Sequence, residues 1–494
     1  MINLEILRPI IEKLPSVKMP LVQPTLKERL MYTGVILMLF YLMYHIYPVG
    51  VIVTQDAQME FLQLVLASKI GSLLTIGIGP IVLASIFLQL FMGAGIIKLD
   101  LSVPKNKQLF QGTQKLFAIL LAIFEAIIYL NLMTLDSQLF GPGNEIMVAA
   151  LVALQIALGS VILLFFDEVI SKYGLGSGIG LFIAGGVSLS VVSGFIGIVT
   201  GYGGIPAQNT LYYHLFVEGG ANAIPSAMIA LIPIISTILV LAFSIYAEGI
   251  KVEIPLTFDR ASGYGGRYPI KFLYTSNMPV ILAFAFLSSM QLFGRLLSGI
   301  TFDLGGVNFA SFIAEYNVAG SLSGGLIYFM SPSFPNPLAL AGGVPVFVNL
   351  MLTSTSLLSV PFLGQVLVPE YVHAIMYAIS LCVLSIVFGY LWTETSNMTA
   401  KDVAGQLKKS GLSMPGFRRD PRMIEKILGK YIPVITILGS GFVGLLAASA
   451  DLTGAIGSGT GILLTAGILY RMYEEMEQRQ MFDMYPGLKN MLGE

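Results

Sequence analysis

Apolar residues run along this chain in long blocks. Stretches of the length that crosses a bilayer, about 18 to 25 residues, lie near positions 30–48, 74–95, 115–132, 146–166, 174–199, 226–248, 272–298, 372–394, 431–449 and 457–473. Blocks of this length in lipid must be helical, because only a helix satisfies its own backbone where no water is available. The pattern therefore predicts an all-α polytopic membrane protein with about ten transmembrane helices. Ahead of the first block, Leu4, Leu7, Ile11 and Leu14 recur at helical spacing with Glu5, Arg8, Glu12 and Lys13 between them. That spacing predicts an amphipathic helix on the membrane surface within an N-terminal cytosolic segment 1–29, and no cleavable signal.

Composition agrees with the pattern. Of 494 residues, 55% are hydrophobic and 11% charged, against about a quarter charged in a soluble domain. The one cysteine, Cys382, excludes an intrachain disulfide, and His45, His214 and His373 are scattered without ligand spacing. Neither a metal nor a cofactor is expected. No nucleophile with its base and no paired acids stand out, so no enzyme is expected either.

Charge sets the orientation, because Lys and Arg stay on the cytoplasmic side of short loops. With the N-terminus inside, 25 of the 27 basic residues fall on one side, and only Lys69 and Arg295 fall elsewhere. Both termini are then cytoplasmic, with cytosolic loops at about 249–271 and 395–430. The opposite loops carry Asp56, Glu60, Asp136, Glu145, Glu218, Asp303, Glu315 and Glu370. The external loop at about 299–371 is long enough to be expected to have a structure or function of its own. Asn397-Met-Thr matches a glycosylation sequon but lies on the cytosolic side.

Two strings occur twice. Pro80–Ala84 reads PIVLA and Pro279–Ala283 reads PVILA, each followed by Gln-Leu-Phe; Gly176–Ile183 reads GSGIGLFI and Gly457–Leu464 reads GSGTGILL. Within each pair the two spans cross the membrane in opposite senses. That is the signature of two inverted halves related by an axis in the membrane plane, here 30–200 and 226–494 joined by an external hinge at 201–225. The Gly-rich strings lack the Lys of a phosphate loop and follow no strand, so they read as sites of close helix approach.

The strings SKYGLGSGIGLFIAGGVS from Ser171, IGIGPIVLAS from Ile76, LFQGTQKL from Leu109, RYPIKFLYTSNMPVILA from Arg267, and GSGTGILL with LYRMYEEM together resemble the archaeal and eukaryotic branch of the SecY family. The resemblance covers nearly all the chain and weakens near 200–225 and 299–371. It implies the central subunit of a passive protein-conducting channel in the cell membrane. Such a channel passes polypeptides across and releases transmembrane segments sideways into lipid. The partners it implies are signal sequences and nascent chains, a ribosome, a small SecE-type (gamma) subunit and a small beta-type subunit, with a motor ATPase as a further candidate.

Residue roles follow from the same resemblance. The segment at about 53–68, with Asp56, Glu60, Phe61 and Leu64, corresponds to the plug; its apolar side chains need burial, which suits a re-entrant segment. The central constriction corresponds to Ile78, Val82, Ile179, Ile183, Ile281 and Leu464, all branched and apolar. Such a ring dewets a pore yet yields around a passing peptide. On the residues alone each position reads as ordinary helix packing. Glu125, Asn277, Ser289 and Gln291 are the lateral-gate polar candidates, although Leu83 and Ser289 stand where the family often has Thr and Asn. Arg260, Arg267, Arg418 and Arg419 correspond to a ribosome-docking surface, suited to bidentate phosphate contacts; the positive-inside rule alone also predicts basic loops here.

A secondary transporter is the rival from another class, since inverted repeats with broken helices are also its hallmark. Transporters need polar coordinating groups at mid-membrane, whereas the repeat-related positions Val82 and Ile281 are aliphatic.

Overall fold

Each apolar block becomes one helix. The computed structural model describes residues 4–52, 67–93, 95–97, 99, 103–130, 133–136, 139–141, 144–201, 210–218, 223–258, 265–297, 303–304, 307–316, 322–331, 343–360, 364–396, 398–409, 412–413 and 421–484. Ten helices fill the ten predicted spans: α1 (Leu26–His45), α2 (Gly79–Gly93), α3 (Pro104–Tyr129), α4 (Glu145–Tyr173), α5 (Gly178–Thr200), α6 (Ile232–Gly249), α7 (Met278–Leu297), α8 (Glu370–Thr395), α9 (Pro421–Leu452) and α10 (Gly459–Met484). α1 starts on a capping box in which Glu28 N–H donates to Thr25 Oγ1 and Thr25 N–H donates to Glu28 Oε2 at 2.8 Å. α6 continues a short helix, Ala223–Ala230, across a break at Leu231. Pro233 two residues on has no N–H to carry the ladder through.

Packing divides the helices into two groups. α3 packs on α2 and α4, and α1 and α5 both pack on α4 and on each other; in the second group α8 packs on α7 and α9, and α10 on α6 and α9. The groups meet along two lines: α2 against α7 and α8, with α3 reaching α7 beside them, and α10 against α5 and α1. The outward faces of α6 and α8, with Ile235, Ile238, Leu239, Ile375, Ile379 and Val383 exposed, remain apolar as lipid-facing surface must.

The loops have structure that hydropathy did not forecast. At the end of the molecule where α6 leads to α7, Lys251–Phe258 and Gly265–Lys271 form an antiparallel hairpin, with Leu412–Ser413 as a third strand. The helix Ala400–Lys409 packs beside it on α9, so Ile270, Val403, Ala404, Leu407, Ile424 and Leu428 share a core. On the opposite side, strands from 315–369 make a four-stranded sheet. That sheet is tied to the start of α8: Tyr328 donates to Glu370 Oε1 at 2.6 Å, Ser356 to Glu370 Oε2 at 2.5 Å, and His373 Nδ1 lies 2.8 Å from Glu370 Oε1. Burial, and then the Glu370 carboxylate, push the Tyr328 phenol up, so it remains a donor.

The N-terminal segment departs from the expected surface helix. Its helical part ends at Ile11, and Leu4 and Leu7 pack on Leu88, Phe91, Met92, Ile97, Leu109 and Phe110 rather than on lipid. Ile11 sits so close to Gly112 that a Cβ there would approach its Cγ2 to 2.2 Å. The following residues lie across α3 and α4 as a clasped strap. Lys115 Nζ donates to Pro15 O at 2.5 Å and to Glu168 Oε1 at 2.7 Å, Glu168 Oε2 accepts from Val17 N at 2.9 Å, and Lys172 Nζ donates to Val17 O at 2.5 Å. The apolar stripe at Leu4 and Leu7 is thus covered by protein, where the spacing predicts a helix on the membrane surface.

Charge-assisted bonds of this kind contribute about 1.5–3 kcal/mol each. Lys115→Met is therefore expected to free the strap and speed tryptic cleavage after Lys13 and Lys18 about tenfold, with helix content unchanged. Cleavage at the wild-type rate would count against the clasp.

Candidate functional site

Four helices begin beside the six aliphatic candidates. Ile78 precedes the first residue of α2 and Val82 follows one turn in; Ile179 and Ile183 lie in the first two turns of α5, Ile281 in the first turn of α7 and Leu464 in the second turn of α10. Ile78, Val82, Ile183, Ile281 and Leu464 are buried in one cluster, and Ile179 packs against it. They come from four helices, two from each half, and belong to the molecule's main core, which also takes in Phe40, Leu163, Tyr377 and Ala447.

Helices that start inside a membrane protein release backbone groups that lipid cannot satisfy. Before α2 the buried, non-helical residues 67–78 bond among themselves and to neighbours: Lys69 N to Leu74 O at 3.1 Å, Leu73 N to Ile46 O at 2.9 Å, Gly71 N to Thr75 Oγ1 at 3.1 Å, and Ser160 Oγ to Gly77 O at 3.0 Å. Gly159 of α4 allows the contact, since a Cβ there would lie 2.0 Å from Leu73 O. Before α7, Ser276 donates to Glu248 of α6 at 3.3 Å, and Asn277 Nδ2 donates to Leu463 O of α10 at 3.2 Å. α5 and α10 are each capped by an aspartate from the preceding helix. Asp167 Oδ1 accepts from Ile179 N at 3.0 Å, and Asp451 Oδ1 from Thr460 N at 2.9 Å.

The backbone repeats as the sequence does. Under the PIVLA/PVILA match Gly77 corresponds to Ser276, and both are left-handed, with φ of 62° and 52°. Under the second match Gly176 and Gly457 correspond, with φ of 71° and 72°. The α5–α10 contact is also reciprocal. A Cβ built on Gly180 would lie 3.5 Å from Ile468, and one on its counterpart Gly461 would lie 2.9 Å from Val187, the counterpart of Ile468. Likewise Gly176 faces Met472 at 3.4 Å while Gly457 faces Val191, the counterpart of Met472, at 3.2 Å. A contact that maps onto itself with partners exchanged places the pseudo-two-fold axis between α5 and α10.

Opposite this seam the halves meet at α2, α7 and α8. Gly93 of α2 lies against Leu391 of α8, where a Cβ would come within 2.5 Å, and Phe124 of α3 faces Phe293 of α7 with ring centroids 6.1 Å apart. Glu125 is buried beside that pair on the face of α3 that carries Ala118, Ala122 and Tyr129. The four polar gate candidates are not brought together. Ser289 and Gln291 lie 12 and 14 residues beyond Asn277, about 18–21 Å along a helix. Ser289 donates to Ala285 O in its own helix, and Gln291 contributes its backbone O to Tyr316. Two basic residues each lie over rings: Lys69 Nζ lies 5.3 Å from Tyr44 and 5.6 Å from Tyr47, and Arg295 lies 5.9 Å from Tyr316.

Comparison with known proteins matches this arrangement to one family. The SecY family model matches residues 72–473. The protein translocase subunit SecY of Methanococcus vannielii is 38% identical over 489 residues, 99% of each chain. This chain belongs to the SecY family. Among solved structures, one described as the structure of a protein-conducting channel matches with 37% identity and a TM-score of 0.76 over 97% of this chain and 98% of that one. The canine Sec61 of a ribosome–channel complex from the endoplasmic reticulum matches with 36% identity and a TM-score of 0.73, again over 97% and 98%. Within the family the chain is a multi-pass membrane protein.

Asp56, Glu60, Phe61 and Leu64, and likewise Arg260, Arg418, Arg419 and Asn397, lie outside the described residues; Arg267 is in the second strand of the 251–271 hairpin, opposite Pro255. Among the described residues no cluster of three or more His, Cys, Asp or Glu could hold a metal. Sequence reasoning passed over Asp167 and Asp451. Each stands a few residues before a repeated GSG string, which is the signal that could have found them.

Close backbone approach makes the seam sensitive to a methyl group, at about 1–3 kcal/mol for overpacking. Gly461→Ala is expected to lower the thermal unfolding midpoint, and Val187→Ala in the same chain to restore most of it. Additive losses in the double variant would contradict the reciprocal contact.

Proposed function

We propose that this chain conducts unfolded polypeptides across the membrane through the point where α2, α5, α7 and α10 meet. The seal of the resting pore is the ring of Ile78, Val82, Ile179, Ile183, Ile281 and Leu464. The observation that carries this reading is that four helices, two per half, each begin with these aliphatic residues and turn them into the same core, with Ile179 packed against it. Branched aliphatics at such a constriction exclude water and ions by dewetting and make no directional bonds that would hold a passing chain. Membership of a family of protein-translocase subunits supports the reading.

The two lines of contact between the halves give the motion. The glycine seam of α5 and α10 acts as the closed back, and the opposing edge of α2 and α3 against α7 and α8 acts as the lateral gate, through which a signal sequence intercalates and transmembrane segments leave for lipid. Glu125, behind the Phe124–Phe293 contact, is the gate's buried polar group; Ser289 and Gln291 lie on the same helix as Phe293, whereas Asn277 knits α7 to α10. The segment 53–68, with Asp56, Glu60, Phe61 and Leu64, is the plug.

The cytosolic hairpin and the 395–430 loop, with Arg260, Arg267, Arg418 and Arg419, dock a ribosome, as the likeness to a ribosome-bound Sec61 supports. A SecE-type subunit clamps the halves, a beta-type subunit sits at the periphery, and both termini face the cytoplasm. Elongation by the bound ribosome, or a motor ATPase, supplies the energy.

Two measurements test this. In planar bilayers, with the SecE-type partner, changing Ile78, Val82, Ile179 and Ile183 together to Gly is expected to raise resting ion conductance at least tenfold; a membrane as tight as wild type would remove the ring from the account. Charge reversal at Arg267 and Arg418 is expected to weaken ribosome co-sedimentation and flatten its salt dependence. Unchanged binding would move the docking surface elsewhere.

A further inference from the structure

The two repeat-related ring helices, α5 and α10, begin in tight hairpins, only four and six residues after α4 and α9 end. Each already has a local cap: Gly180 N donates to Ser177 Oγ at 3.5 Å, and Gly461 N to Ser458 Oγ at 3.0 Å. Each has a second acceptor as well, reaching in from the helix before. Asp167 of α4 bonds Ile179 N, and Asp451 of α9 bonds Thr460 N, the two amides being counterparts under the repeat. Asp451 Oδ2 further accepts from Thr460 Oγ1 at 2.6 Å and from Tyr377 of α8 at 2.7 Å. Glycine at both first helical positions allows the approach: a Cβ on Gly178 would lie 2.5 Å from Asp167 Cα, and one on Gly459 would lie 2.1 Å from the carbonyl carbon of Ala450.

A serine next to the helix start satisfies amides but fixes nothing beyond its own turn. A carboxylate from another helix makes directional, charge-assisted bonds that set the height and rotation of one helix against its neighbour. The ring side chains Ile183 and Leu464 follow the bonded amides by four residues, about 6 Å along the axis. We propose that Asp167 and Asp451 are the repeat-related positioning residues of the aliphatic ring. Each pins its ring helix so that Ile183 and Leu464 meet at one level from opposite sides. Losing a pin lets that helix shift, which leaves the aliphatic side chains present but unmatched and admits water. The proposal rests on the ring being the seal.

The test is resting ion conductance of the full chain with its SecE-type partner in planar bilayers, read beside the thermal unfolding midpoint. Asp167→Ala and Asp451→Ala are expected to leak about tenfold more than wild type. Asp167→Asn and Asp451→Asn, which keep an acceptor oxygen at the amide, should stay within about twofold. Ser177→Ala and Ser458→Ala should lower the midpoint without added leak. If Ile183→Gly and Leu464→Gly leak but the Asp→Ala variants do not, or if the Ser and Asp variants leak alike, the positioning role is overturned and the ring stands. If the Gly variants do not leak either, the ring itself fails and takes the proposal with it. Should the Ala variants not fold, Asp167→Glu and Asp451→Glu, which keep the charge but displace the oxygen, decide: raised leak supports the pins, and wild-type leak overturns them.

Discussion

A chain that starts helices within the span of a bilayer must find a partner for every amide it exposes there, because hydrocarbon supplies none. Four helices of this protein start within two turns of the same buried aliphatic cluster, and much else follows from how their first turns are satisfied. Residues 67–78 fold back on themselves and onto Ser160 to launch α2. Asp167 and Asp451 launch α5 and α10, and Ser276 and Asn277 tie the start of α7 to α6 and α10. These bonds engage the polar groups at the helix starts, although Asn277 Oδ1 stays buried without a partner.

The inverted repeat explains why this is possible twice over, and where the halves differ. Val82 and Ile281, and Ile183 and Leu464, are equivalent and aliphatic. The equivalents of Ile78 and Ile179 are Asn277 and Thr460, both polar, and both bonded within the second half. The first half thus presents two aliphatic tiers, while the second spends one of its tiers on cohesion. The four-stranded sheet adds to that cohesion, since Glu370, His373, Tyr328 and Ser356 fasten it to α8, a helix at the front edge where the halves meet.

Much of this was legible in the sequence, for physical reasons. The membrane class follows from apolar length: among the described residues seven helices are long and apolar enough to cross a membrane, and α2 is a shorter apolar helix. The repeat showed because Pro, Gly and Ser at helix starts are constrained by backbone geometry, as the matched left-handed residues demonstrate. Bonds between helices were not legible: Asp167 and Ile179 are twelve residues apart, a spacing that no periodicity marks. The N-terminal stripe was found but assigned to lipid, since an amphipathic pattern names a buried face and not what buries it. The 251–271 hairpin was not legible as strands although Val252, Ile254, Leu256 and Phe258 alternate, because the basic residues around them speak first for orientation. The gate set takes three of its four residues from the start and body of α7, whose length separates Asn277 from Gln291.

The central claim is that polypeptide passes through the aliphatic ring. A nascent chain stalled in transit and carrying a photo-crosslinker at mid-chain tests it directly. The account predicts adducts at Val82, Ile183, Ile281 and Leu464 and none at lipid-facing Ile238 or Leu438; adducts confined to the lipid-facing positions would contradict it.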